Sequence, residues 1–195
     1  MEIIPQTDLK KLSFPLPIYQ TIEIGEAISR DGEHFYIFVG LNKEMVIQLK
    51  TLSLDGNDID LQKNTVDKNR FGKGSYEDWY RKNRTPFVLV HKNTNALAAL
   101  VWFGPDSLPE HEGNWHTSAW RSYIPFRGKG LIKEFLAFSI NTYFKNAPHV
   151  KLWARIKSEN ITSEKLVEGL GFKLLEKLSN NNSHYLVLVN NLELV

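Results

Sequence analysis

The segment Arg127-Gly128-Lys129-Gly130-Leu131 combines the residue types that bind a phosphate group through the main chain. It lies between a strand-like run from Gly113 to Ile124 and a helix-like run from Leu131 to Lys145. Glycine permits a tight turn and a close approach of the backbone, and the free amides at a helix start attract an anion. The side chains of Arg127 and Lys129 can add positive charge. The segment therefore predicts a site for a phosphate-bearing ligand.

The strand-like run before this segment contains the candidate general base. Alternation places one set of side chains on a single face, namely His116, Ser118, Trp120 and Ser122. The intrinsic pKa of His116 suits general-base catalysis. Glu110 and Glu112 precede the strand and would supply a base through a water molecule. The alternative for His116 is a purely structural strand residue.

A second pattern follows the helix-like run. Asn160-x-x-Ser163 precedes an apolar stretch that ends in Leu170-Gly171-Phe172. The two patterns together resemble the GNAT superfamily of acetyl-CoA-dependent N-acyltransferases over residues 113–190. The first GNAT motif, Arg/Gln-x-x-Gly-x-Gly/Ala, begins at Arg127, and the second is Asn-x-x-Ser with the Leu-Gly-Phe ending.

The resemblance implies a site for acetyl-CoA as acyl donor. The pyrophosphate would lie on residues 127–131, with Asn160 and Ser163 beside the pantetheine arm and the phosphates. The acyl carbonyl would bond to main-chain amides at the end of the strand, as in an oxyanion hole. From the residues alone, Asn160 is equally the cap of a short helix. The implied cofactor-binding residues are Tyr123, Ile124, Phe126, Arg127, Gly128, Lys129, Gly130, Leu131, Asn160 and Ser163.

Three positions depart from the GNAT pattern. Ile132 stands where the first motif has a small residue. Val167 stands where many members carry the Tyr that protonates the departing thiolate, and Arg155 stands where some relatives carry Glu. The cofactor half of the chain therefore resembles the family more closely than the catalytic half.

Hydrophobic periodicity and turn residues predict the order of the elements. Strands are expected at 17–28, 34–40, 85–91, 96–103, 113–124 and 150–156, with two more after residue 172. Helices are expected at 42–53, after Ser75, at 131–145 and from about Asn160, and residues 54–73 are expected to be a functional or mobile loop. This order predicts an α/β (α+β) fold with a central mixed, mostly antiparallel sheet flanked by helices. We expect a single domain over residues 1–195, with 1–33 as an N-terminal extension and 34–195 as the core.

The composition of the chain limits the kinds of partner and cofactor that we expect. The net charge of +2 and the interspersed acidic and basic residues do not indicate a nucleic-acid partner. The chain has no Cys, and its six His show no metal-ligand spacing, so we expect no disulfide and no metal. We expect no signal peptide in Met1 to Lys11, no membrane partner and a cytoplasmic location, and leave a homodimer open.

These observations predict an N-acetyltransferase that transfers acetyl from acetyl-CoA to a primary amine, a small molecule or a peptide, by direct attack in a ternary complex. Val167 and Arg155 leave open a CoA-binding GNAT-like protein with little catalytic activity, acting as a sensor or interaction module. A third alternative is a nucleotide-binding protein of unrelated fold. The Asn-x-x-Ser and Leu-Gly-Phe features oppose it, and Gly72-Lys73-Gly74-Ser75 lacks the upstream Gly and the Ser/Thr of a Walker loop.

Overall fold

The computed structural model describes residues 1–7 and 11–189, and nine strands of this part form one sheet. The order across the sheet is β1-β2-β3-β4-β5-β6-β7-β9-β8. Only β6 and β7 run parallel, and all other neighbours are antiparallel. The strands are β1 (Glu2–Pro5), β2 (Ile22–Ile28), β3 (His34–Val39), β4 (Thr85–His91), β5 (Leu97–Pro105), β6 (Trp115–Ser122), β7 (Lys151–Lys157), β8 (Lys173–Leu174) and β9 (Ser183–Val189).

Helices cover both faces of the sheet, and side-chain caps set where four of them begin. Asn42, Asp58, Ser75 and Asn160 each accept a hydrogen bond from an amide of the following turn. The helices are α1 (Lys43–Leu54), α2 (Ile59–Asn64), α3 (Tyr76–Tyr80), α4 (Ile132–Asn146) and α5 (Ile161–Glu168), and a short π-helix spans Lys68–Gly72.

The core is divided by the sheet into two clusters. One face packs against α4 and α5 through residues such as Phe87, Phe103, Phe135 and Val167. The other face packs against α1, the π-helix and α3, with members such as Leu49, Phe71, Trp79, Trp102 and Tyr123. The central strands β4 and β5 are buried on both faces, as their apolar runs predict. The predicted mixed sheet flanked by helices is confirmed.

The sequence prediction was wrong about residues 54–73, which were expected to be a loop. It contains α2 and the π-helix instead of a continuous loop. Residues 17–21 are not a strand, and the edge strand β1 was not predicted. The predicted domain bounds include residues 8–10 and 190–195, which lie outside the described part of the chain and leave those bounds a prediction. No helix in residues 1–7 and 11–189 is long and apolar enough to cross a membrane.

Candidate active site

The parallel strands β6 and β7 separate partway along their length. They pair only at Trp115–Lys151, His116–Leu152 and Thr117–Trp153, although both strands continue beyond this point. At the point of separation the Ser118 hydroxyl donates to the carbonyl of Trp153 at 3.1 Å. Beyond it lies a gap in the sheet, which runs towards the loop that follows β6.

Main-chain donors of β6 face this gap. The Tyr123 amide donates to the Ala98 carbonyl at 2.9 Å and the Asp106 amide to the Trp115 carbonyl at 3.1 Å, so odd-numbered residues point towards β5. Alternate residues of a strand point to opposite neighbours, and even-numbered residues therefore point towards β7. Past Thr117, the amides of Trp120 and Ser122 consequently face the gap without a partner in β7.

The end of the strand differs from the sequence expectation. The Tyr123 amide is used by β5, and the Phe126 amide donates to the Tyr123 carbonyl at 2.8 Å. Both side chains are buried. Of the three residues assigned to the acyl group, only Ile124 has an amide without a hydrogen-bond partner in the described residues. The amides of Trp120 and Ser122 were missed, although strand alternation alone would have placed them together.

The glycine loop between β6 and α4 forms an open cradle. Gly128 and Gly130 have φ values of +84° and +70°, and a Cβ added at either position would meet nothing within 4 Å. The amides of Gly128, Gly130 and Leu131 have no hydrogen-bond partner among the described residues. The first amides of α4 also lack intrahelical acceptors, as at any helix start. Free amides beside open space fit the pyrophosphate of a coenzyme A thioester.

The basic side chains of this loop are held by carboxylates. Two terminal nitrogens of Arg127 each lie 2.5 Å from an oxygen of Asp58, and Arg127 also donates to the Ser122 carbonyl at 2.8 Å. Burial alone would raise the pKa of Asp58, but hydrogen bonds from Arg127 and the Leu61 amide lower it overall. Lys129 pairs with Glu33 at 2.9 Å. In this arrangement the main chain, not these two side chains, faces the cradle.

The second motif forms the start of α5. The Asn160 side chain accepts a hydrogen bond from the Ser163 amide at 3.3 Å, so Asn160 is the N-cap that its residue type allows. Val167 is fully buried in the core, and Arg155 is exposed on β7. Position 167 therefore contributes packing, and it holds no hydroxyl group that could protonate a thiolate.

His116 lies one residue before the point where β6 and β7 separate. It is half-buried, and its Nδ1 lies 2.6 Å from the Tyr143 hydroxyl on α4. Burial, and then the positive charge of Arg84, lower the pKa of His116 below its ordinary value. The ring also lines a cavity of about 320 Å³ whose wall includes Thr85, Pro105 and Tyr143.

Glu110 and Glu112 are not brought to His116 by the fold. Both are exposed in the loop that precedes β6. In residues 1–7 and 11–189, the side-chain hydrogen bond of the His116 ring is to Tyr143 and not to either carboxylate. Their proposed role would therefore need an intervening water molecule.

A single parallel pair that separates beside an open glycine loop, within a sheet covered by helices on both faces, defines a GNAT-type fold. The family model described as acetyltransferase (GNAT) domain matches residues 57–173. The chain belongs to the GNAT acetyltransferase family, and the resemblance drawn from the two motifs is confirmed.

Several solved structures share this fold. The ribosomal-protein-S5-alanine acetyltransferase from Vibrio fischeri matches with a TM-score of 0.60 and 17% identity, over 85% of this chain and 98% of that one. RimJ from Mycobacterium smegmatis, in complex with CoA-disulfide, matches with a TM-score of 0.62 and 14% identity, over 87% of each chain. A spermidine N-acetyltransferase chimera from Vibrio cholerae and hSSAT has a TM-score of 0.59 and 14% identity, over 81% of this chain and 98% of that one. No curated protein sequence matches the chain.

Proposed function

We propose that this protein transfers an acetyl group from acetyl-CoA to a primary amine by direct attack within a ternary complex. The gap between β6 and β7 supports this proposal, because it runs from the open glycine loop to the point where the two strands separate, next to His116 in the chain. A ligand that places its phosphates on the loop can extend along the gap. Its reactive end then lies near the point where the strands separate.

The cofactor is held chiefly by the main chain in this proposal. The amides of Gly128, Gly130 and Leu131 bind the pyrophosphate, with the start of α4 behind them. The amides of Trp120 and Ser122 bind along the gap, where fixed dipoles stabilise negative charge that develops on an oxygen. Acetyl-CoA, when bound, supplies the acyl group as an activated thioester. Tyr123, Ile124, Phe126, Asn160 and Ser163 shape the walls of the site.

His116 accepts the proton of the amine. The lowered pKa keeps its ring neutral at pH 7, so the ring can act as a base without first losing a proton. If Nδ1–H donates to the Tyr143 oxygen, Nε2 carries the free lone pair. Glu110 and Glu112 remain alternative bases through water. With Val167 in the core, no side chain at that position protonates the leaving thiolate.

A second candidate function is a CoA-binding protein with little or no transferase activity. The buried Val167 favours it, because the position that supplies an acid in many relatives is occupied by core packing. The cofactor cradle is common to both functions. The two therefore differ only in whether an amine is turned over.

Calorimetric titration with acetyl-CoA and an assay of free thiol release with a panel of primary amines separate the two. Binding together with amine-dependent thiol release supports the transferase. Binding without release by any amine supports the second candidate. Absence of binding contradicts both, because both depend on the open glycine loop.

A further inference from the structure

The sheet face opposite α4 contains a buried group of charged residues that the mechanism above does not use. Arg70 and Arg121 contact the carboxylate of Asp67, and Arg84 lies near Arg70 over the ring of Trp102. We call Asp67 and these three arginines the arginine cluster. Exposed side-chain fractions are 0% for Asp67, 4% for Arg121, 10% for Arg84 and 25% for Arg70. Asp67 lies 2.6 Å from Arg121 and 3.0 Å from Arg70.

Trp102 lies against two members of the arginine cluster, Arg70 and Arg84. The guanidinium carbons of Arg70 and Arg84 lie 5.2 and 5.1 Å from the centre of its ring. Trp79 meets the same ring edge-on at 5.4 Å. The arginines are thus held in place by aromatic packing as well as by Asp67.

The arginine cluster has more positive than negative charge. The three guanidinium groups have one buried carboxylate, Asp67, among them. The other acid that pairs with one of them in residues 1–7 and 11–189 is Asp106, which lies 3.6 Å from Arg84 and is half-exposed. Burial, followed by the charge of Arg121, lowers the pKa of Arg70 to about 10. An excess of buried charge is costly unless an opposite charge compensates it.

Several buried N–H groups of the arginine cluster and Trp102 also lack hydrogen-bond acceptors. These are Nε of Arg84, Nε and one terminal nitrogen of Arg121, and Nε1 of Trp102. Nε of Arg121 is close to Asp67 but not aligned for a hydrogen bond. Buried polar groups are normally satisfied. Two nearby groups that can accept, Oδ2 of Asp67 and the hydroxyl of Tyr123, are also unpaired, so the unpaired donors outnumber the acceptors. An excess of donors in positive surroundings fits an acceptor that carries negative charge.

The arginine cluster extends along β6 between the two ends of the candidate active site. Arg121 stands between Trp120 and Ser122, whose amides face the gap. Arg84 lies close enough to His116 to lower its pKa. A group bound by the arginine cluster therefore lies beside the strand that carries both the acyl site and the base.

We propose that the arginine cluster binds an oxyanionic group of the amine acceptor, so that the substrate is an amine that also carries a carboxylate or a phosphate. Planar guanidinium groups bind both oxyanions through paired hydrogen bonds. Arg70, with 25% of its side chain exposed, is the member most accessible to a ligand from solvent. This inference rests on the proposed transferase function.

Matched amines test the inference. Thiol release is measured with 4-aminobutyrate against butylamine, and with 2-aminoethyl phosphate against ethylamine. One oxyanion-bearing member should have a kcat/KM at least about tenfold higher than its uncharged partner, as a charge-assisted hydrogen bond provides. The pair that shows the preference distinguishes carboxylate from phosphate. Equal rates within both pairs would overturn the inference and leave the transferase function standing.

Two variants test whether the preference for an oxyanion-bearing amine arises at the arginine cluster. Arg70→Gln should bring the two rates of the preferred pair together, mainly by raising KM for the oxyanion-bearing amine. Arg81→Gln is the matched control, because Arg81 is an exposed arginine at the end of α3 that pairs with the exposed Asp78. A preference that survives Arg70→Gln unchanged would place the oxyanion elsewhere and contradict the assignment. If no amine at all releases thiol, the transferase function itself has failed.

A readout independent of activity uses glutarate and inorganic phosphate as probes. One of them should raise the Tm of the wild-type protein and of Arg81→Gln, and raise it less in Arg70→Gln. A Tm that neither probe changes would contradict an oxyanion site in the arginine cluster.

Discussion

Arg127 and Asp58 form a two-pronged ion pair, with both nitrogen–oxygen distances at 2.5 Å. Asp58 also caps α2 by accepting from the Leu61 amide at 3.0 Å, and Arg127 also binds the carbonyl of Ser122. One pair of side chains thus joins the end of β6, the glycine loop and the start of α2. Arg127 therefore shapes the cofactor loop by anchoring it, and its charge is already neutralised.

Arg127→Ala should lower the free energy of unfolding by about 3 kcal/mol, because it leaves the buried carboxylate of Asp58 unpaired. The affinity for acetyl-CoA should fall by less than the roughly 1–3 kcal/mol that a direct charge-assisted bond contributes. Chemical denaturation and calorimetric titration measure the two effects. A full loss of affinity with unchanged stability would mean that Arg127 leaves Asp58 for the phosphate.

The variant Asp58→Ala and the double variant provide the control. If the pair stabilises the fold directly, the sum of the losses in unfolding free energy of the two single variants should exceed the loss of the double variant. The contribution of the Arg127–Asp58 pair to the free energy of unfolding should also disappear in acid. Because the pKa of Asp58 is lowered in the folded state, the pair stabilises the protein above the ordinary pKa of 3.8 and is lost as the pH falls through the lowered value.

Local sequence patterns predicted the helices and strands whose apolar residues recur with a clear period, and they missed those without such a period. The apolar stripe of α4 placed the principal helix within one residue of its observed ends at 132 and 146. By contrast, α2 has six residues and buries only Leu61, so no periodicity marks it. Its cap at Asp58 is visible in the sequence, but the partner Arg127 is 69 residues away. Contacts of that separation follow from the fold and not from local spacing.

The glycine loop should tolerate no side chain at Gly128. Gly128→Val should weaken acetyl-CoA binding by about 1–3 kcal/mol, because it strains a positive φ and blocks the approach of the phosphates to the amides. Gly32→Val is a matched control, since Gly32 has a φ of +79° and equally open surroundings in a turn between β2 and β3. Both variants should lose similar stability. Equal affinities in titration calorimetry would remove the loop from the site.

Ile132, the first residue of α4, occupies the motif position where the family has a small residue, and its side chain is half-buried against the core. Ile132→Gly should lower the free energy of unfolding by a few kcal/mol, from lost burial and helix propensity. Ile161→Gly is the control, because Ile161 is the first residue of α5 and is exposed. Denaturation should show the larger loss for Ile132→Gly. A variant that keeps its stability and binds acetyl-CoA more tightly would show that Ile132 crowds the cofactor instead.

His116→Gln should lower turnover by ~10²–10⁴, with acetyl-CoA affinity little changed, if His116 is the base. His34→Gln is the control, because His34 is exposed at the start of β3. Steady-state kinetics and titration calorimetry measure the two quantities. Full activity in His116→Gln would make His116 a strand residue whose role is its hydrogen bond to Tyr143, and Glu110 and Glu112 would then be replaced together.

The dependence of activity and stability on pH tests the role of His116 in a second way, because the lowered pKa fixes the direction of both changes. Burial and the charge of Arg84 lower the pKa of His116 below its ordinary value of 6.5. The activity should therefore rise with pH through a midpoint below 6.5, as the ring loses its proton.

The unfolded chain binds that proton more readily than the folded one, so the free energy of unfolding should also rise with pH until about 6.5 and then level off. Denaturation of wild type and His116→Gln across this range should show the rise only in the wild type. An activity midpoint above 6.5, or the same stability profile in both proteins, would mean that the ring is not the buried neutral base described above.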